Sequence, residues 1–138
     1  MQTFITDFDY NKSAKNLDRQ RLGSQIYEGI HILSSLIGVN DQLVNPKRSV
    51  INHPVAKFWA GYEFDLLAYI ASHMLEWYDR GYKSDINSRN YEMIYSVIYD
   101  DTSILKTESN PKITPDLIKL HKAVLIQKKP EYYNKIFK

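Results

Sequence analysis

The sequence predicts an all-α fold, a compact single domain spanning residues 1–138 with three main helices and a short extra one. Three observations carry that prediction: apolar residues recur at the helical period over long runs, capping residues and prolines head those runs, and glycines close them. The first helix is predicted from Lys12 or Ser13 to Ile37, with Ser13 as a possible N-cap and Gly38 and Asn40 as the stop. Leu22, Ile26, Leu33, Leu36 and Ile37 mark its core face. Residues 39–52 read as a loop, with a turn at Asn45-Pro46 and with Lys47 and Arg48 exposed.

The second helix opens at Asn52-His53-Pro54, where Asn52 or His53 caps and Pro54 occupies the first turn. It runs to Arg80 and ends at Gly81, a C-terminal position suited to positive φ. Phe58, Trp59, Tyr62, Leu66, Tyr69, Ile70, Met74 and Trp77 make it apolar around much of its girth, which predicts a buried central helix. Residues 90–99 form a shorter amphipathic piece, helical or, on Tyr95, Val97, Ile98 and Tyr99, a strand. A polar loop from Asp100 to Pro111 follows. Thr114-Pro115-Asp116 then combines a capping hydroxyl, a proline and an acid near the positive end of the helix dipole, so the third helix runs from there to Lys128, before Pro130.

Composition narrows the class of function. Hydrophobic residues make up 43% and charged residues 25%, which is ordinary for a globular chain and argues against disorder. With no cysteine there is no disulfide scaffold, thiolate zinc site or cysteine nucleophile, and a reducing compartment suits the chain. No apolar run approaches the roughly 18 residues that span a membrane, and the start lacks a basic-then-apolar leader, so a cytoplasmic protein of a bacterium or an infected host cell is expected, with no membrane partner. His31, His73 and His121 show no ligand spacing, and phosphate-binding glycine loops, Ser-His-Asp arrangements and Gly-x-Ser-x-Gly elements are missing. No metal or cofactor is expected. Net charge is +2, unevenly spread: residues 112–138 carry 7 lysines against Asp116 and Glu131, and residues 1–111 carry 11 cations against 14 acids. A basic end on a faintly acidic body can engage a polyanion locally, or can be a solvated lysine-rich tail.

The chemistry-bearing segment is Leu17 to Glu28. Advanced at about 100° per residue, Asp18, Arg21, Gln25 and Glu28 fall within an arc of roughly 80° at the margin of the apolar face, while Gln20, Ser24, Tyr27, His31 and Ser34 face solvent. A half-buried carboxylate is costly unless paired. The stripe therefore reads either as an ion-pair ladder, Asp18 with Arg21 and Glu28 with Arg21 or Gln25, or as a site. Gly23 and Gly29 favour a site, because they weaken a helix and permit close approach of a backbone or ligand. His53, at a helix start, is a cap or a phosphate-binding residue.

Leu17-x-x-Gln20-x-Leu22 with Glu28 six residues on, His53 before an aromatic-rich helix ending in Arg80-Gly81-Tyr82, and Lys129-Pro130-x-Tyr132-Tyr133 together resemble the phage-type pyrimidine-dimer DNA glycosylase family, whose founding member nicks ultraviolet-damaged DNA. The start Met-Gln-Thr-Phe, the Leu-Asp-x-x-Arg-Leu-x-x-Gln-x-x-Glu helix and the Asn-His-Pro element resemble an uncharacterised branch of it. The resemblance implies a DNA-repair enzyme whose extended N-terminal arm brings the α-amine beside the glutamate matching Glu28. In the family that amine attacks the sugar C1′, forms an imine and permits β-elimination, the lyase step, while the carboxylate supports the sugar cation and the proton transfers. The family nucleophile is a threonine freed by loss of methionine. Here Gln2 follows Met1 and Thr3 stands one position late, so either the Met1 amine serves or the lyase step is lost.

The resemblance thus gives Glu28 and Met1 as catalytic residues. Gln2, Asp18, Arg21, Gln25, His53, Trp59 and Tyr62 would bind substrate, with a place in the core as the alternative for Trp59 and Tyr62. Lys128, Lys129, Tyr132 and Tyr133 would contact double-stranded DNA. The competing class is a phage-type binding protein that sequesters a free nucleotide or cyclic nucleotide in the same pocket without chemistry.

Overall fold

The computed structural model describes residues 2–37, 52–83, 88–89, 91–92, 95–96 and 108–137. The continuous helices among them are α1 (Tyr10–Lys15), α2 (Arg19–Ile37), α3 (Pro54–Trp59), α4 (Glu63–Asp79), α5 (Pro115–Lys128) and α6 (Pro130–Ile136). The fold is all-α, and the described members of residues 90–99 (Tyr91, Glu92, Tyr95 and Ser96) are helical. Gly38, Asn40, Lys47, Arg48 and Met1 lie outside the described residues. No helix among the described residues is long and apolar enough to cross a membrane.

Two of the long helices expected from the sequence are broken. Asp9, not Ser13, caps α1, its carboxylate accepting from the N–H groups of Asn11 and Lys12. Ser13 is instead buried inside α1, where its Oγ accepts the Thr6 N–H at 2.9 Å. The chain turns at residues 16–18 because the Arg80 guanidinium reaches across from the end of α4 and donates to the carbonyls of Leu17 at 2.7 Å and Lys15 at 3.2 Å. A cation there satisfies carbonyls that a continuing helix would have used. The second break falls between α3 and α4, where Gly61 has φ +86 and no side chain could follow it cheaply. Gly81, at φ +90, ends α4 as anticipated.

The core lies between α2 and α4, with Ile26, Ile30, Leu33, Leu66, Tyr69 and Ile70 all buried. Gly29 sets their closeness: a Cβ there would stand 2.6 Å from Ile70 Cγ1. At Gly23 the neighbour is the Trp77 ring, at 3.2 Å. Both glycines thus make room for side chains of α4. Ser34, expected in solvent, is buried and returns its hydroxyl to the Ile30 carbonyl at 2.7 Å.

Residues 2–6 form an extended arm that lies against α2, α4 and α5. Among the described residues its N–H groups find no strand partner, and side chains accept from those of Gln2, Phe4, Ile5 and Thr6. The Thr6, Ile5 and Phe4 N–H groups go to Ser13, His121 Nδ1 (2.9 Å) and Gln25 Oε1 (2.8 Å). The Tyr69 hydroxyl lies 2.8 Å from the Phe4 carbonyl, and Trp59 Nε1 donates to Thr3 Oγ1 at 3.1 Å.

Candidate functional site

Where the arm crosses α2 it helps wall a pocket of about 540 Å³. Gln2 and Phe4 of the arm, Gln20, Arg21, Ser24, Gln25 and Glu28 of α2, and Leu120, His121, Val124 and Lys128 of α5 line it. The Gln2 N–H donates to Glu28 Oε2 at 2.9 Å. Gln25 is almost wholly buried and both ends of its carboxamide are engaged, Oε1 by Phe4 and Nε2 by the Gln2 carbonyl at 2.9 Å. Its contribution to the pocket is therefore to hold the arm in register. The Tyr69 hydroxyl, 2.6 Å from Gln25 Oε1, is kept protonated well above its usual range by burial, with the Glu28 charge acting in the same direction.

The polar stripe of α2 divides. Arg21, Gln25 and Glu28 line the pocket, whereas Asp18 is turned away from it and is 4% exposed. Its carboxylate accepts the Tyr133 hydroxyl, lies 3.3 Å from Arg21 Nη1, and has Lys129 Nζ at 3.7 Å. Burial alone would raise the Asp18 pKa, but the Tyr133 hydrogen bond and the Arg21 and Lys129 charges together hold it below the usual carboxylate value. Asp18 thus docks α6 onto the start of α2, and no substrate is needed to satisfy it.

The remaining sequence candidates separate likewise. His53 caps α3, its Nδ1 accepting the Val55 N–H at 3.1 Å, and it lines a smaller cavity of about 180 Å³ rather than the main pocket. Gln2 and His121 border both cavities. Trp59 is fully buried, so it belongs to the core and not to a stacking surface. Tyr62 stands at the N-cap of α4, away from the pocket walls. Of the C-terminal residues, Lys128 is exposed at the pocket, whereas Tyr133 is fully buried against Asp18 and cannot lie on DNA as it stands. Lys129 and Tyr132 pack together beside that network, with the ammonium 5.6 Å from the ring centre. Among the described residues no group of three or more metal-binding side chains converges.

Sequence reasoning passed over His121 and Tyr69 as site residues. The one available signal was periodicity, since His121 shares a helix face with Ile118 and Leu125, both buried.

The pocket thus joins an extended arm, a half-buried glutamate and flanking cations, all carried on an all-α frame. Residues 1–90 match the family model for pyrimidine dimer DNA glycosylase, and the chain belongs to that family. No curated protein and no solved structure matches the chain. The match covers the arm and α1 to α4, so Glu28 falls within it and His121 and Lys128 fall outside. Membership of a DNA glycosylase family implies a DNA substrate.

Proposed function

We propose that this protein, as a single domain, excises a damaged or modified pyrimidine from double-stranded DNA, with Glu28 as the catalytic carboxylate. The observation that carries this reading is the 2.9 Å hydrogen bond from the Gln2 backbone nitrogen to Glu28, which brings the head of the chain to the acid in the pocket. As the bond from C1′ to the base breaks, positive charge grows on the sugar, and a fixed carboxylate in a partly desolvated pocket stabilises it. Arg21 and Lys128, both lining the pocket, suit the flanking phosphates.

The lyase half of the proposal assigns the nucleophile to the Met1 α-amine. The amine attacks C1′, and the base leaves with the bonding pair and takes up a proton. The ring then opens to an imine, and loss of a C2′ proton expels the 3′ phosphate. An α-amine suits this step, since its pKa of about 7.7–8.0 leaves an unprotonated fraction near neutrality.

Glu28→Gln keeps an acceptor for the Gln2 N–H but removes the charge. Single-turnover excision from irradiated duplex should fall at least about 100-fold while DNA affinity is largely kept. Undiminished excision by this variant would defeat the proposal. Borohydride trapping, followed by mass spectrometry of the linked peptide, reports the amine; excision without a covalent complex would restrict the activity to simple hydrolysis. Tight mononucleotide binding with a weak salt slope and no excision would favour nucleotide sequestration.

A further inference from the structure

We infer that His121 is the positioning residue of the site: it clamps the arm from α5, so that the Gln2 nitrogen is held on Glu28. Its ring is 7% exposed and stands between the two cavities. Nδ1 accepts the Ile5 N–H at 2.9 Å, which leaves the ring proton on Nε2; the Gln2 side-chain amide nitrogen, itself a donor to the Thr3 carbonyl, packs against Nε2 at 3.2 Å without a hydrogen bond, and the Phe4 ring meets the imidazole edge-on with centroids 5.8 Å apart. One side chain therefore contacts three residues of the arm from the side opposite α2. Gln25 and Glu28 grip the arm from α2, Ser13, Trp59 and Tyr69 hold it from α1, α3 and α4, and His121 is its hold on the α5 side, between the two cavities. The Ile5 N–H, with no strand to receive it, depends on this imidazole.

The clamp needs the neutral ring, because a protonated Nδ1 would face the Ile5 N–H with a second donor. Burial lowers the His121 pKa, which keeps Nδ1 available as an acceptor near neutrality. The charged or titratable groups lining the two cavities that meet at His121 are Arg21 and Glu28 from α2, His53 from α3 and Lys128 from its own helix.

This inference rests on the glycosylase reading for its kinetic arm only. His121→Asn places an amide oxygen near the position of Nδ1 and cannot titrate, whereas His121→Leu removes the acceptor. His121→Leu should lower kcat for excision about 100-fold with little change in KM, the effect of a misplaced reacting group, and His121→Asn should recover most of it. As the pH falls below the ordinary histidine value of 6.5, His121→Asn should lose less activity than the wild type. Equal kcat in the wild type and the Leu variant, or an Asn variant with an unchanged acid limb, would overturn the assignment. Amide hydrogen exchange at Gln2, Phe4 and Ile5 tests the clamp even if no excision is found. Faster exchange in His121→Leu, restored toward wild type in His121→Asn, supports it, and unchanged exchange in both overturns it. Should the Leu variant fail to fold, the acid-induced rise in exchange at these amides in the wild type, suppressed in His121→Asn, is the deciding comparison.

Discussion

The two ends of one helical stripe have opposite fates. Asp18, just before α2, and Glu28, within it, lie along one margin, yet Asp18 is sealed among Tyr133, Arg21 and Lys129, whereas Glu28 opens onto a pocket and accepts the Gln2 N–H of the arm. A carboxylate whose neighbours already satisfy it stabilises a fold. One whose visible partner is a backbone N–H beside an open volume is what the proposed excision requires. Position on the helix does not distinguish them; what packs against each end does.

That contrast can be broken from the Asp18 side first. Asp18→Ala should cost roughly 1–3 kcal/mol, since it takes from the buried Tyr133 hydroxyl the acceptor of its proton and removes the acid from two part-exposed cations. Thermal unfolding would read the loss, and excision per folded molecule should survive. Acid provides a comparable loss at a different place. His73 is fully buried on α4, its Nδ1–H donating to the Tyr69 carbonyl at 2.7 Å, and burial lowers its pKa from 6.5 to about 4. Below pH 6.5 the unfolded chain gains a proton there that the folded chain refuses until about pH 4, so on the order of 3 kcal/mol is lost through that window. Asp18, with its lowered pKa, extends the loss below about 3.8. Urea midpoints in the wild type and in a His73→Gln variant should diverge in their pH dependence below 6.5, and parallel curves would contradict the assignment.

Gly29→Ala should cost about 1–3 kcal/mol in urea unfolding, because the new Cβ meets Ile70 rather than open space. The smallest effect is expected at the pocket rim. Lys128→Gln should reduce the salt slope of duplex binding by about one and leave the choice of base unaltered.

How much of this the sequence discloses depends on whether the cause is local. The head of α5 is legible because Thr114 and Pro115 act on their own turn, and Thr114 Oγ1 does accept the Leu117 N–H, at 3.2 Å. The break before α2 is illegible because its cause, Arg80, is more than sixty residues away. The break at Gly61 hides inside an apolar pattern that runs on across it. Glu28 is readable as a margin acid from the helical period alone. Its contact with Gln2 is not, because a backbone N–H leaves no mark in a sequence, and the same holds for the Ile5 N–H on His121. Tyr133 misled for the opposite reason: tyrosine beside lysine has the composition of a nucleic-acid surface, while burial against Asp18 makes it a core residue.

The most direct test of the division along that margin is single-turnover excision from irradiated duplex by Glu28→Gln and Asp18→Asn, each normalised to its folded fraction. Glu28→Gln is expected to remain folded and lose excision, while Asp18→Asn is expected to lose stability and retain excision. Excision lost in Asp18→Asn at full stability, or intact in Glu28→Gln, would contradict this division.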